Sequence, residues 1–152
     1  MFIREKAVEY ALKWAYSQNE EFYNFTYLGG DCTNFISQCM YYGGFKMNYN
    51  QNGWFYSSLN SRAPAWTGVN EFWNFAINNT SNYGVKLKTC NLNEVEIGDV
   101  IQLFNGVRYY HNLLVTDING EIKVTAHDTN VRNMPIRFYN YSGIRCGKIL
   151  PY

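Results

Sequence analysis

The first half of the chain carries hydrophobic positions at helical spacing. Between residues 4 and 18 they recur about every 3.6 residues, which predicts a helix with one buried face. A second helix is predicted from Cys32 to about Tyr42, with Asp31 as its N-cap and Gly43-Gly44 as its stop. A third helix is predicted over residues 68–79. The apolar positions that define the three helices are Ala7, Val8, Ala11, Leu12, Trp14 and Ala15, then Phe35, Ile36, Cys39 and Met40, then Val69, Phe72, Trp73, Ala76 and Ile77.

The second half changes to the short apolar runs that are typical of β-strands. Asn119-Gly120 lies between two of these runs and predicts a two-residue hairpin turn. Helices followed by antiparallel strands predict an α+β fold. The chain has no internal repeat and no linker, so we expect residues 1–152 to form a single domain. The predicted strands are residues 100–104, 112–116, 122–126 and 144–150.

Composition narrows the possible partners. Hydrophobic residues make up 47% of the 152 residues and charged residues 16%, which favours a folded core. The net charge of +1, with Lys and Arg scattered singly, gives no support for a nucleic-acid partner. No apolar stretch approaches the roughly 18 residues of a membrane span, and the charged N-terminus does not resemble a signal peptide. We expect no membrane insertion. Cytoplasmic location, release by lysis and export by a signal outside this sequence all stay open, as does the oligomeric state.

Residues 45–67 are rich in Asn, Ser and Tyr and have no sustained period, which predicts a long loop with a functional role. The whole chain holds 14 Tyr, 10 Phe and 4 Trp. Such aromatic residues either fill the core or line a cleft that stacks on sugar rings or peptide. The loop would then form one wall of that cleft.

Cys32 is the strongest candidate for chemistry. It follows Gly29-Gly30 and lies in the first turn of the second predicted helix. Free peptide N–H groups and the helix dipole at that end favour a thiolate, which is the reactive form of cysteine. The other three cysteines, Cys39, Cys90 and Cys146, are expected to be small buried residues. No Cys or His cluster has zinc spacing, so we expect neither a metal nor another cofactor.

The chain has only two histidines, and both lie in the strand-rich half. His111 precedes one strand of the predicted hairpin and is the candidate general base, while His127 lies near the end of the partner strand. With Asn119-Gly120 as the turn, the register places Asp128 opposite His111 and on the same face. A single β-bulge would exchange Asp128 and His127. Both therefore stay open as the residue that orients His111.

Several segments together resemble a known family. The segment Gly30-Asp31-Cys32-Thr33-Asn34-Phe35-Ile36-Ser37-Gln38-Cys39 resembles the hallmark of the bacterial putative amidase domain family, which is related to the NlpC/P60 and CHAP cell-wall hydrolases. Trp54-Phe55-Tyr56 and Trp66 resemble its central aromatic segment. Residues 97–101 resemble the turn and strand before its histidine. His111-Asn112-Leu113-Leu114-Val115-Thr116 resembles its histidine strand, and Thr125-Ala126-His127-Asp128 the next strand.

The resemblance implies a papain-like, NlpC/P60-type fold in which N-terminal helices pack on an antiparallel β-sheet. Cys32 would be the nucleophile and His111 the base. The third residue would lie on the next strand, which favours His127 over Asp128. For oxyanion stabilisation or substrate contact, the resemblance and the local sequence suggest Tyr27, Asp31, Trp54, Trp66 and Tyr110. A peptide of peptidoglycan is the implied substrate, and this substrate rests on analogy alone.

Two other functions compete with an amide hydrolase. Gly53-Trp54-Phe55-Tyr56 faintly resembles a choline-binding repeat, which would suggest a non-catalytic module that binds cell wall or sugar. Such modules repeat about every twenty residues, and this chain has one copy. The second alternative is an acyltransferase or transglutaminase-like enzyme, because the same Cys and His can pass an acyl group to an amine instead of water.

Overall fold

Four helices precede and cover a six-stranded antiparallel sheet in the computed structural model, which describes all 152 residues. The sheet order is β3-β8-β4-β5-β6-β7, and β1 and β2 form a small separate hairpin. The fold is therefore α+β, as the sequence predicts. The elements are α1 (Arg4–Trp14), α2 (Cys32–Gly43), β1 (Tyr56–Ser58), β2 (Ser61–Arg62), α3 (Pro64–Thr67), α4 (Val69–Asn78), β3 (Leu87–Cys90), β4 (Val100–Phe104), β5 (Tyr109–Asp117), β6 (Lys123–Ala126), β7 (Val131–Pro135) and β8 (Gly143–Ile149).

Two hydrophobic clusters lie on opposite faces of the sheet. On one face, α2 packs across β5 and β6, α1 packs on α2, and α4 packs on β5 and β3. Leu114 belongs to this helix-side cluster, whereas its neighbours Leu113 and Val115 belong to the cluster on the other face. This alternation follows from the pleat of a strand. A buried Asp99 joins the layers by accepting hydrogen bonds from the Arg4 guanidinium (2.6 Å) and the Ile149 backbone N–H (2.9 Å).

The hairpin between β5 and β6 differs from its prediction. Leu114 pairs with Thr125 and Val115 with Val124, which is the predicted register. Asp117, however, pairs with Lys123, so the register shifts by one residue and five residues connect the strands in place of a two-residue turn. The Asp117 carboxylate accepts the Asn119 backbone N–H (2.8 Å), and this side-chain contact closes the longer loop.

The helix boundaries differ where tertiary contacts compete with local propensity. The helix α1 ends at Trp14, four residues before the predicted end, and the Trp14 carbonyl accepts a hydrogen bond from His127 Nε2 (2.7 Å). The third helix, predicted over residues 68–79, is α4, and the short helix α3 lies just before it in the segment that the sequence predicts to be a loop. No helix is both long enough and apolar enough to cross a membrane.

Candidate active site

Cys32 is the first residue of α2 and lies at the base of a small cleft. Gly29 and Gly30, with φ of 85° and 97°, form the left-handed turn that leads the chain into the helix. The cleft has a volume of about 230 Å³. Its walls come from the two glycines, from the α3–α4 junction, from residues 108–110 and from Asp128. The sequence pattern around Cys32 thus places the thiol at a concave surface.

The carboxylate of Asp128 caps the start of α2 from a distant part of the chain. It accepts the backbone N–H of Asp31 (2.8 and 2.9 Å) and that of Cys32 (3.0 Å). A Cβ on Gly30 would lie 2.8 Å from Asp128 Oδ2, so this approach requires glycine. Asp128 itself has a φ of 62°, in the left-handed region, where the chain turns after β6. Asp31, the N-cap by sequence, makes no side-chain cap of its own.

The Cys32 thiol is protonated at neutral pH, contrary to what a helix start alone favours. Burial of the thiol, and then the charge of Asp128, raise the pKa of Cys32 to about 11. Hydrogen bonds from the Asn112 backbone N–H and from Thr33 lower the pKa by less. Asp128 binds the free N–H groups of the helix start, and so its charge replaces their influence on the sulfur.

His111 is buried on β5, one residue before Asn112, and neither of its ring nitrogens makes a hydrogen bond. His111 lies two residues before Leu113 and so shares its face of the strand, which is the face directed away from α2. Burial lowers the pKa of His111 below its ordinary value, and the charge of Asp128 offsets only part of that effect. His111 is consequently neutral at pH 7 and able to accept a proton.

Cys32 and His111 adjoin the same groups at an open edge of β5. The ladder between β5 and β6 stops at Leu114 and Thr125, and the Asn112 backbone N–H beyond that point lowers the pKa of the Cys32 thiol. Asp128 influences the pKa of both side chains. Cys32, at the start of α2, therefore lies close to the part of β5 that carries His111 and that is no longer paired with β6.

Tyr139 is a residue at this site that the sequence analysis missed. Its ring centroid lies 5.8 Å from that of His111, and its hydroxyl is buried without a hydrogen-bond partner. Burial first, and then Tyr110 and Cys32, raise the pKa of Tyr139 to about 12. Tyr139 follows a short 3-10 helix (Ile136–Phe138), and no motif in the sequence connects that segment to Cys32.

His127 forms a buried contact with Asp31 instead of lying beside His111. Its Nδ1 is 2.6 Å from Asp31 Oδ2, its Nε2 is 2.7 Å from the Trp14 carbonyl, and its ring stacks on Phe35 at 3.9 Å. Both hydrogen-bond partners are acceptors, so both ring nitrogens are engaged. Burial would raise the pKa of Asp31, but hydrogen bonds from His127, Asn34 and the Phe25 N–H lower it below its usual range.

This buried pair predicts that His127 is needed for stability. His127→Ala is expected to lower the free energy of unfolding by about 3–5 kcal/mol, because the buried Asp31 carboxylate would lose its contact with the imidazole. Urea unfolding near neutral pH measures the change. His111→Ala is the matched control, since it removes a buried imidazole that makes no hydrogen bond, and its loss should be smaller. Equal losses in the two variants would contradict the prediction.

The remaining predicted contact residues are placed differently from one another. Tyr110 lines the cleft, and Tyr27 is 98% exposed outside it. Trp54 and Trp66 are fully buried and donate to Ser37 Oγ (3.0 Å) and Asn34 Oδ1 (3.0 Å). These two indoles have no surface to offer a substrate, because they pack into the helix-side cluster. The expectation that they contact substrate is therefore corrected, and so is a substrate-facing role for Asp31, whose carboxylate is buried against His127.

No group of three or more His, Cys, Asp or Glu side chains is arranged to hold a metal ion. The cleft of this α+β protein instead contains a candidate nucleophile, Cys32, which is the first residue of a helix. The chain belongs to the putative amidase domain family, whose family model matches residues 2–148. This match supports a hydrolase that acts on amide bonds. Comparison with curated proteins found no significant match, and comparison with solved structures found none.

Proposed function

We propose that the protein is a cysteine amidase or peptidase that acts through a thioacyl-enzyme, with Cys32 as nucleophile and His111 as general base. The observation that carries the proposal is the placement of Cys32 in the cleft at the start of α2, where the backbone N–H of Asn112, directly after His111, lowers the pKa of the thiol. The family match supports the amide bond as the target. The proposed papain-like relationship to NlpC/P60 enzymes rests on the resemblance of the sequence segments.

In the proposed reaction, His111 takes the thiol proton as the sulfur attacks the amide carbonyl carbon. The carbonyl π bond opens, and its oxygen becomes the oxyanion of a tetrahedral intermediate. His111 then returns the proton to the leaving amine as the C–N bond breaks. In the second half, His111 deprotonates a water molecule as the water oxygen attacks the thioester carbon. The C–S bond then breaks, the acid leaves, and the imidazolium returns the proton to the Cys32 sulfur. This series of reaction steps requires that Cys32 and His111 are both neutral at the start.

The Cys32 backbone N–H is the proposed oxyanion donor, and Asp128 occupies it at rest (3.0 Å). The incoming carbonyl oxygen must therefore displace Oδ2 of Asp128. The buried hydroxyl of Tyr139, which has no partner in the protein, is a candidate second donor.

We propose Asp128, and not His127, as the third residue of the site. Both ring nitrogens of His127 are engaged by Asp31 and Trp14. The charge of Asp128, in contrast, acts on His111 already at rest and stabilises its protonated form. Once the substrate has taken the Cys32 N–H, the displaced carboxylate would be available to the imidazolium.

Asp128→Asn provides a direct check of this arrangement. The amide oxygen of asparagine can still accept the two backbone N–H groups, while the negative charge is removed. The pKa of Cys32 should fall, so alkylation by iodoacetamide at about pH 8 should be faster. Hydrolysis should be slower, because the imidazolium loses its counter-charge. Asp117→Asn, at a carboxylate remote from the site, is the control. Unchanged alkylation would contradict the role of the charge.

For the substrate we propose a peptide amide of peptidoglycan, on the basis of the family resemblance. Arg108 and Glu71 line the cleft and form no salt bridge within the protein, which suits a substrate that carries both charges. The test incubates wild type and Cys32→Ala with purified peptidoglycan and identifies new amine termini by mass spectrometry. New termini only with wild type support the proposal. Alkylation of Cys32 without any release would reject this substrate. A product formed with an added amine would indicate acyl transfer.

A further inference from the structure

A second, larger groove beside the catalytic cleft is lined mainly by side-chain amides. Its volume is about 570 Å³, and seven of its 14 lining residues are Asn or Gln. They come from the loop after α2 and from α4 and the turn that follows it. Glu71 is the only charged residue in the lining, and Phe75 is its only aromatic residue. The amides in the lining are Asn48, Asn50, Gln51, Asn52, Asn74, Asn78 and Asn79.

Six of these seven amides divide into two groups with different roles, and the seventh, Asn78, donates to the backbone carbonyl of Asn74. The side chains of Asn48 and Asn79 form hydrogen bonds within the protein. They donate to backbone carbonyls of residues 83–85 and so stabilise the loops that form the walls of the groove. The side chains of four other amides are exposed and make no hydrogen bond in the protein. The free amides are Asn50, Gln51, Asn52 and Asn74. The groove therefore presents hydrogen-bond donors and acceptors that are free to bind a ligand, on walls that are stabilised by hydrogen bonds within the protein.

The groove continues in both directions. Glu71 lines the groove as well as the cleft at Cys32, and a shallow depression from Arg62 to Glu71 joins the two. On the opposite side, a depression of about 580 Å³ shares Asn48 and Asn50 with the groove. That depression carries exposed rings at its rim, from Tyr41, Tyr49 and Tyr83. An elongated ligand can thus run from the tyrosines past the amides to the thiol.

We infer that this groove binds an uncharged oligosaccharide, so that the cleft acts on an amide attached to a sugar chain. A carboxamide offers donors and an acceptor together, which matches hydroxyl and acetamido groups. Tyrosine rings supply flat apolar faces for pyranose rings and a polar edge in water. An extended peptide fits less well, because no strand lines the groove and there is no backbone edge to pair with. The link to the cleft rests on the proposed function, whereas sugar binding does not.

The test is a titration of ¹⁵N-labelled wild type with the tetramer of N-acetylglucosamine, followed by the side-chain amide signals. The signals of Asn50, Gln51, Asn52 and Asn74 should shift, and the exposed Asn119 on the β5–β6 loop should not. The double variant Asn50→Ala/Asn74→Ala should bind at least about tenfold more weakly, whereas Asn119→Ala should bind like wild type. A neutral tetrapeptide, titrated in the same way, tests the alternative ligand.

The outcomes separate this inference from the proposed function. The absence of shifts at about 10 mM sugar would overturn it, since a site with a Kd of about 1 mM would then be nearly filled. Shifts with the tetrapeptide alone would overturn it as well. Sugar binding that persists in Cys32→Ala, together with no hydrolysis by wild type, would keep the groove and reject the enzyme. If both proposals hold, the double variant should raise KM for a sugar-linked peptide and leave KM for the free peptide unchanged.

Discussion

Cys32→Ala is expected to lower kcat/KM for amide hydrolysis by about 10⁴-fold or more, because Cys32 is the only thiol that lines the cleft. The substitution removes one sulfur atom from a buried position, and the backbone N–H that is proposed as the oxyanion donor stays in place. Binding of substrate should therefore change much less than kcat. Steady-state kinetics that separate kcat from KM measure this difference.

Cys90→Ala is the matched control for the nucleophile. Cys90 is half-buried at the end of β3, away from the cleft, and it is also a free thiol. Its replacement should leave kcat/KM unchanged and should leave alkylation at Cys32 unchanged as well. Activity that survives in Cys32→Ala but is lost in Cys90→Ala would contradict the assignment of Cys32.

His111→Ala is expected to reduce kcat by about 10³-fold, which lies within the usual contribution of a positioned general base. Added imidazole should restore part of that activity, because it can enter the space that the ring leaves and accept the thiol proton. A variant that lost activity only through misfolding would not respond to imidazole. Rescue would thus distinguish a base from a structural residue.

The pH profile of wild type has a predicted direction. Burial lowers the pKa of His111 below its ordinary value of 6.5. The neutral ring is the active form of the base, so kcat/KM should rise with pH through that lowered pKa and level off above it. Burial and Asp128 raise the pKa of Cys32 to about 11. Alkylation should hence keep increasing above neutral pH. A plateau of alkylation near pH 6 would indicate a resting thiolate–imidazolium pair and contradict this account.

The sequence predicts the elements that depend on local patterning. The boundaries of β4 match at both ends, and α2 begins at Cys32 as predicted, because the Gly29-Gly30 turn and the apolar stripe are local signals. Strands β3 and β7 were not predicted. Their exposed residues interrupt the apolar run, and each is an edge strand whose pairing depends on a partner elsewhere in the chain.

The chemistry of the site depends on contacts that no local pattern contains. Asp128 caps a helix that begins 96 residues earlier, and its charge reverses the expected effect of the helix start on the thiol. The family resemblance suggests an orienting role for His127, on the strand after His111, yet its ring faces Asp31 and Trp14. The register count favoured Asp128 opposite His111, but β6 ends before reaching it, and Asp128 turns toward α2.

The aromatic residues illustrate the same limit. Their abundance predicts either a core or a stacking surface, and the sequence cannot assign each ring. Trp54 and Trp66 are core residues with their indole N–H groups satisfied by α2, whereas Tyr41, Tyr49 and Tyr83 remain at the surface. The burial of Trp54 and Trp66 is decided by how the segment 45–67 folds over α2, which is a tertiary property.

Trapping of the acyl-enzyme tests the central claim most directly. Wild type mixed with substrate would be quenched in acid within the first turnovers, digested, and analysed by mass spectrometry for an acyl group on the peptide that contains Cys32. The account predicts a thioester at Cys32 whose mass equals the acyl half of the substrate, and its absence from Cys32→Ala. Amide hydrolysis that proceeds with no adduct on Cys32, or with the adduct on another residue, would contradict the account.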